Sequence, residues 1–151
     1  MRSQFKRPAR IFIFIFIAYL AATHADTLRL LDLKIRGVEI SAEVADSPAT
    51  RAQGLMYRKQ LAKNQGMLFI FPKPDYYSMW MVNTLIPLSV AFLDEQGVIL
   101  NIADMAPLTE ESHGAKAPAK FALEMNLGWF KAHNIKAGDQ VLGLLRAPRG
   151  L

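Results

Sequence analysis

Apolar and polar residues alternate in short stretches broken by turn residues along most of this chain, the pattern of a β-rich domain. Residues 28–35 (LRLLDLKI) and 38–44 (VEISAEV) alternate over part of their length and flank Arg36-Gly37. This predicts a hairpin whose glycine supplies the unusual backbone angles of a tight turn. Ser47-Pro48 reads as an N-cap followed by proline at the first helical position, opening a short helix over residues 48–53 that stops at Gly54. Residues 66–71 (GMLFIF) form an apolar run fit for a buried strand, ended by Pro72-Lys73-Pro74-Asp75, and residues 77–81 (YSMWM) read as another strand. Residues 89–93 and 98–103 flank the turn Asp94-Glu95-Gln96-Gly97 and give the clearest hairpin. Residues 106–120 form the longest loop, residues 121–126 (FALEMN) a strand, residues 127–133 a helical turn or two, and residues 141–146 the closing strand.

About eight short strands with little helix predict a mainly β domain, a compact jelly-roll-like sandwich or a partly open barrel with one or two short helices. A parallel α/β sheet is not expected, because no long amphipathic helix lies between the strands.

The longest apolar run has another meaning. Residues 1–10 carry Arg2, Lys6, Arg7 and Arg10 and no acid, residues 11–22 are unbroken apolar, and Thr23-His24-Ala25 precede Asp26. A basic start, a short apolar stretch and small residues at −3 and −1 are what signal peptidase reads. As a helix the apolar stretch would span about 18 Å, short of the ~30 Å hydrocarbon core, which favours cleavage over anchoring. Residues 1–25 are therefore expected to be a cleavable signal peptide, residues 26–151 a single domain, and the mature protein periplasmic or secreted, meeting the membrane only during export.

Charge changes with that division. The whole chain carries +5, but removing the four basic residues of the signal leaves 14 basic against 13 acidic side chains, net +1. No basic patch remains to suggest a nucleic-acid partner. The chain has no cysteine, so disulfides, zinc–thiolate sites and thiol catalysis are excluded. No cofactor is expected.

Several linked motifs carry a family resemblance. Arg51-x-x-Gly54-Leu55-Met56-x-Arg58 precedes Gly66-Met67-Leu68-Phe69-Ile70-Phe71; Trp80-Met81-x-Asn83-Thr84-x-Ile86-Pro87-Leu88 follows, then the 92–97 turn, Ala122-Leu123-Glu124-Met125, Gly128 and Gly138-Asp139. In this order and spacing they resemble the DUF192 family, small and often exported bacterial domains of unknown function, over roughly residues 35–146. The resemblance implies a compact, mostly β fold of jelly-roll-like sandwich type and brings no established activity, cofactor or catalytic residue. Many relatives have Lys where this chain has Val82 and Asp where it has Ser89. A proteobacterial subgroup often has Cys where it has Gly114.

Trp80, Asn83 and Thr84 are the first candidates for a ligand-binding site, since an aromatic with polar side chains just beyond it can line a concave pocket. The alternative is that Trp80 packs in the core while Asn83 and Thr84 build a turn before Pro87. Glu124 stands between Leu123 and Met125 in an otherwise apolar strand. If it points inward it needs a partner, for which Arg51 is the first candidate and Arg58 the second. His113 with Asp104 or Glu124 could form an acid/base set in an envelope-directed hydrolase or lyase. Met79 and Met81 have the spacing of a soft-metal pair, though methionine in apolar strands ordinarily fills core gaps. No nucleophile elbow or phosphate-cradling glycine loop is present. Together these features favour a non-enzymatic ligand-binding or interaction module of the cell envelope, taking a small molecule or an envelope-derived fragment.

Overall fold

The alternation that predicts the first hairpin sorts its side chains onto two faces of a sheet. In the computed structural model, which describes residues 28–151, β1 (Leu30–Ile35) and β2 (Val38–Ala45) pair antiparallel across Arg36-Gly37. Leu31, Leu33, Ile35, Ile40, Ala42 and Val44 are buried on one side, whereas Leu30, Asp32 and Lys34 are exposed on the other. The expected signal peptide lies outside the described residues.

The remaining elements are α1 (Pro48–Gln53), β3 (Gln65–Asp75), β4 (Ser78–Met79), β5 (Leu88–Leu93), β6 (Ile99–Met105), β7 (His113–Gly114), β8 (Ala119–Asn126), α2 (Trp129–Ala132) and β9 (Val141–Leu142), with a closing 3-10 turn at Leu144–Arg146. Seven strands form one sheet in the order β6-β5-β8-β3-β2-β1-β9, and β4 and β7 form a separate pair. The large sheet curls until its two ends meet. Val98 bridges Gln140, and Val141 N donates to Gly97 O at 2.8 Å, so the edges beside β6 and β9 are stitched together. The domain is mainly β and of the partly open barrel type.

Curling gives the sheet an inside and an outside, and both bury apolar side chains. Inside, residues such as Leu68, Ile70, Leu123 and Met125 pack with Trp129 and Phe130 of α2. Outside, Met67, Phe69, Phe71, Val90, Phe92 and Ala122 form a second cluster with Leu55, Met81 and Ile86 from the loops. Strands covered on both faces read as continuous apolar runs, which is why residues 66–71 show little alternation.

Gly66 on β3 faces Met125 on β8. A Cβ there would meet Glu124 O at 2.6 Å and also the Met125 sulfur, and the backbone oxygen cannot swing aside. Gly66→Ala is expected to destabilise the fold by about 3 kcal/mol, readable as a lowered urea midpoint with an unchanged m-value. A midpoint within experimental error of the parent's would contradict the packing described.

The sheet is antiparallel apart from β2 and β3, which run parallel in register from Ser41↔Gln65 to Ala45↔Phe69, their crossover made by the six-residue α1 and a long loop. Three expectations are corrected. The stretch 77–81 forms only a two-residue strand, because Met81 N donates to Thr109 O instead of extending the ladder. The loop 106–120 contributes β7 as its partner. The closing strand ends after two residues, where Gly143 at φ 100° turns the chain into the 3-10 turn.

Candidate functional site

Glu124 is at the middle of the sheet. On β8 it sits between β3 and β5, opposite Met67 on one side and Val90 on the other. Because side chains alternate, Leu123 and Met125 point into the barrel and Glu124 points to the outer apolar layer. It is only 4% exposed, and among the described residues it makes no side-chain hydrogen bond or ion pair. Burial pushes its carboxyl up to about 8, so at neutral pH it is mostly a protonated acid.

Above it opens a pocket of about 410 Å³. Glu124, Phe69 and Phe71 contribute from the sheet, Arg51 to Met56 from α1 and the turn after it, and Tyr77 to Trp80 from β4 and its flanks. Phe71 and Tyr77 stack with ring centroids 3.7 Å apart, and the Tyr77 hydroxyl donates to Lys73 O. Trp80 is 58% exposed and lies at the pocket instead of in the core. Thr84 is buried and also lines it. Gly54 ends α1 at φ 47°, where a Cβ would come within 3.2 Å of the Phe69 ring, a conformation and a clearance that suit glycine.

The loops that flank the pocket residues hold three side-chain-bearing residues in left-handed backbone. Tyr57, Asn83 and Leu108 have φ of 62°, 58° and 60°, in the left-handed region that larger side chains disfavour. Tyr57 N donates to Asn83 O, Leu108 N to Thr84 O and Met81 N to Thr109 O, so three loops hold one another in these conformations. Tyr57, Trp80, Leu85 and Leu108 all stay exposed there. Such strain persists only where the surroundings over-determine it, and it concentrates at functional sites.

The structure thus brings Arg51, Trp80, Thr84 and Glu124 to one cavity and leaves Asn83 outside its lining. Asn83 builds the turn that receives Tyr57 N. Neither proposed arginine partner reaches Glu124. The Arg51 guanidinium donates to three backbone carbonyls, those of Asp46 at 2.6 Å, Ile70 at 2.9 Å and Leu151 at 2.5 Å. Arg58 instead makes a two-pronged pair with Glu43, which holds its own charge more firmly.

The acid/base set built on His113 is not assembled. His113 Nε2 is buried without a hydrogen bond and has Glu111 as its nearby carboxylate, 4.0 Å away. Asp104 accepts a hydrogen bond from Ser89 Oγ, which in turn accepts one from Gly128 N, and both side chains face a different depression beside α2. Met81 is fully buried in the outer cluster while Met79 lines the pocket, so the two sulfurs do not form an open pair. Among the described residues no group of three His, Asp or Glu side chains could hold a metal ion.

Sequence reasoning singled out Glu124 and Trp80 but missed the walls. Met67, Phe69 and Phe71 recur at every second position, which marks one face of a strand, yet nothing local shows that Tyr77 stacks on Phe71.

A mainly β, partly open barrel with an aromatic-walled pocket over a buried acid is the class of protein this architecture defines. The chain matches the DUF192 family (Uncharacterized ACR) over residues 31–143, and it belongs to that family. None of the curated proteins matches it. A solved structure from Sinorhizobium meliloti 1021, described as a "putative transcription regulator", is 32% identical, with a TM-score of 0.76 over 78% of this chain and 95% of that one. A protein of unknown function from Novosphingobium aromaticivorans DSM 12444 is also 32% identical, with a TM-score of 0.74 over 78% of this chain and 88% of that one.

Proposed function

We propose that this protein is an exported, non-enzymatic ligand-binding or interaction module of the cell envelope, and that the pocket over Glu124 takes a small molecule or an envelope-derived fragment. The observation that carries the reading is Glu124 itself. An acid buried in an apolar layer without a described partner lowers stability, and a ligand that completes its hydrogen bonding would offset that cost. Concave, mostly apolar pockets with one or two placed polar groups are the usual form of small-molecule sites.

Thermal-shift measurement against a panel of metabolites and envelope fragments tests the binding reading. A hit is expected to lose its shift in Trp80→Ala, whose own stability should fall by no more than about 1 kcal/mol, because Trp80 is more than half exposed. Hits that survive both Trp80→Ala and Glu124→Gln unchanged would place the site elsewhere. The export reading rests on the first 25 residues, and mass analysis of the periplasmic or secreted protein is expected to find a chain starting at Asp26.

A further inference from the structure

Resting on the pocket reading above, we propose that the ligand is an organic amine, its ammonium group against the Glu124 carboxyl and its apolar body against Phe71, Tyr77 and Trp80. Among the described residues the pocket has one acidic side chain, Glu124, and its walls are rich in aromatic rings. Ring faces carry negative electrostatic potential, so a cation gains from the aromatic walls as well as from a carboxylate. A neutral carbonyl would gain only a hydrogen bond from the protonated acid. An anion would accept a hydrogen bond from the protonated Glu124 and find on Arg51 only the N–H groups not given to Asp46, Ile70 and Leu151, but it would lie against the negative faces of the aromatic walls. Met67 and Val90, the cross-strand neighbours, offer Glu124 no donor.

Binding carries a proton balance. An ammonium entering beside the protonated acid forms the pair R–NH3+ with –OOC–Glu124, and the acid's proton leaves to solvent. No other bond is made or broken. The groups packed around Glu124 identify the proton. Those from β3 and β5 are apolar, Arg51 faces the cavity from α1 with its N–H groups on backbone carbonyls, and Tyr77 faces it beside β4 with its hydroxyl on Lys73 O. Glu124 is the acid in that set poised to give up a proton near neutral pH.

The test uses protein expressed from the full-length gene and three pairs of probes matched in shape: benzylamine with benzyl alcohol, cyclohexylamine with cyclohexanol, and hexylamine with hexanol. Calorimetry at pH 7 in two buffers of different ionisation enthalpy reads affinity and proton release together. At least one amine is expected to bind tenfold or more tightly than its alcohol, to release close to one proton, and to gain about tenfold in affinity per pH unit between 6 and 7. Glu124→Gln should abolish the release and reduce the amine to the affinity of its alcohol. Equal binding of amine and alcohol, or an amine preference that survives Glu124→Gln, would overturn the proposal. So would failure of all three amines. If a neutral or anionic compound from the panel then binds in a Trp80-dependent way, the pocket reading stands without the amine; if nothing binds, both fall.

Discussion

At pH 8 the Glu124→Gln protein is expected to be more stable than the parent by about 3 kcal/mol, and at pH 5 the two are expected to be nearly alike. The direction follows from where the proton resides. Unfolded, Glu124 has the ordinary value of 4.5; folded, burial holds it at about 8. Between those values the native state keeps a proton that the unfolded state has lost, so stability is fully present below pH 4.5, falls as pH rises, and levels off above 8. Each unit of difference corresponds to at most about 1.4 kcal/mol, and because the carboxyl borders a cavity, part of the full difference is relieved by solvent. Glutamine has nearly the same shape and no charge to lose. Its buried amide carries a cost of its own, but that cost does not change with pH. Urea unfolding of both proteins at pH 5, 6.5 and 8 checks this, because groups common to the two cancel in the difference. The gap at pH 8 corresponds to roughly 10 °C in melting temperature. Parallel pH profiles would mean that Glu124 is ionised in the folded protein and finds a partner there.

Arg51→Ala is the second large effect, a loss of about 3 kcal/mol. The guanidinium joins the turn after β2, the centre of β3 and the C-terminal residue by donating to Asp46 O, Ile70 O and Leu151 O. Removing it leaves the Asp46 and Ile70 carbonyls short of a charged donor in a partly buried place, and Leu151, being exposed, adds little. Arg51→Lys should recover only a minor part, since one ammonium on a flexible stem cannot serve carbonyls that approach from three segments. Chemical denaturation of the three proteins reads these losses. The same series separates Arg51 from Glu124: the fall in stability between pH 5 and 8 should persist in Arg51→Ala. If it disappears, the arginine and the acid are coupled after all.

Much of the fold is legible from local pattern, and the reasons differ by element. The hairpin around Arg36-Gly37 shows because one face of β1 is exposed, so polar residues alternate with apolar ones. The bounds of α1 show because Ser47, Pro48 and Gly54 are cap chemistry; the Ser47 hydroxyl accepts from Thr50 N, and Gly54 ends the helix. The partnership of β2 with β3 does not show. β3 is covered on both faces while β2 alternates, and nothing in either run encodes which way its neighbour points.

The site divides in the same way. Glu124 stands out as an acid in an apolar strand, and that anomaly is readable from sequence alone. Its lack of a partner among the described residues is not, because opposite charge suggests Arg51 or Arg58 while the fold gives Arg51 to backbone carbonyls and Arg58 to Glu43. Trp80 escapes the core because the strand expected over residues 77–81 stops at Met79, which frees the indole to lie at the pocket mouth. The left-handed backbone at Tyr57 and Leu108 has no sequence signal, since neither residue type favours it.

The central claim is that Glu124, which has no side-chain partner among the described residues, is held as a protonated acid at the floor of the pocket. The most direct measurement follows the side-chain carboxyl carbon of Glu124 by NMR from pH 4 to 10, with the resonance assigned by its loss in Glu124→Gln. A midpoint near 8 is the expected result. A midpoint near 4.5, the ordinary value for a solvated glutamate, would contradict it.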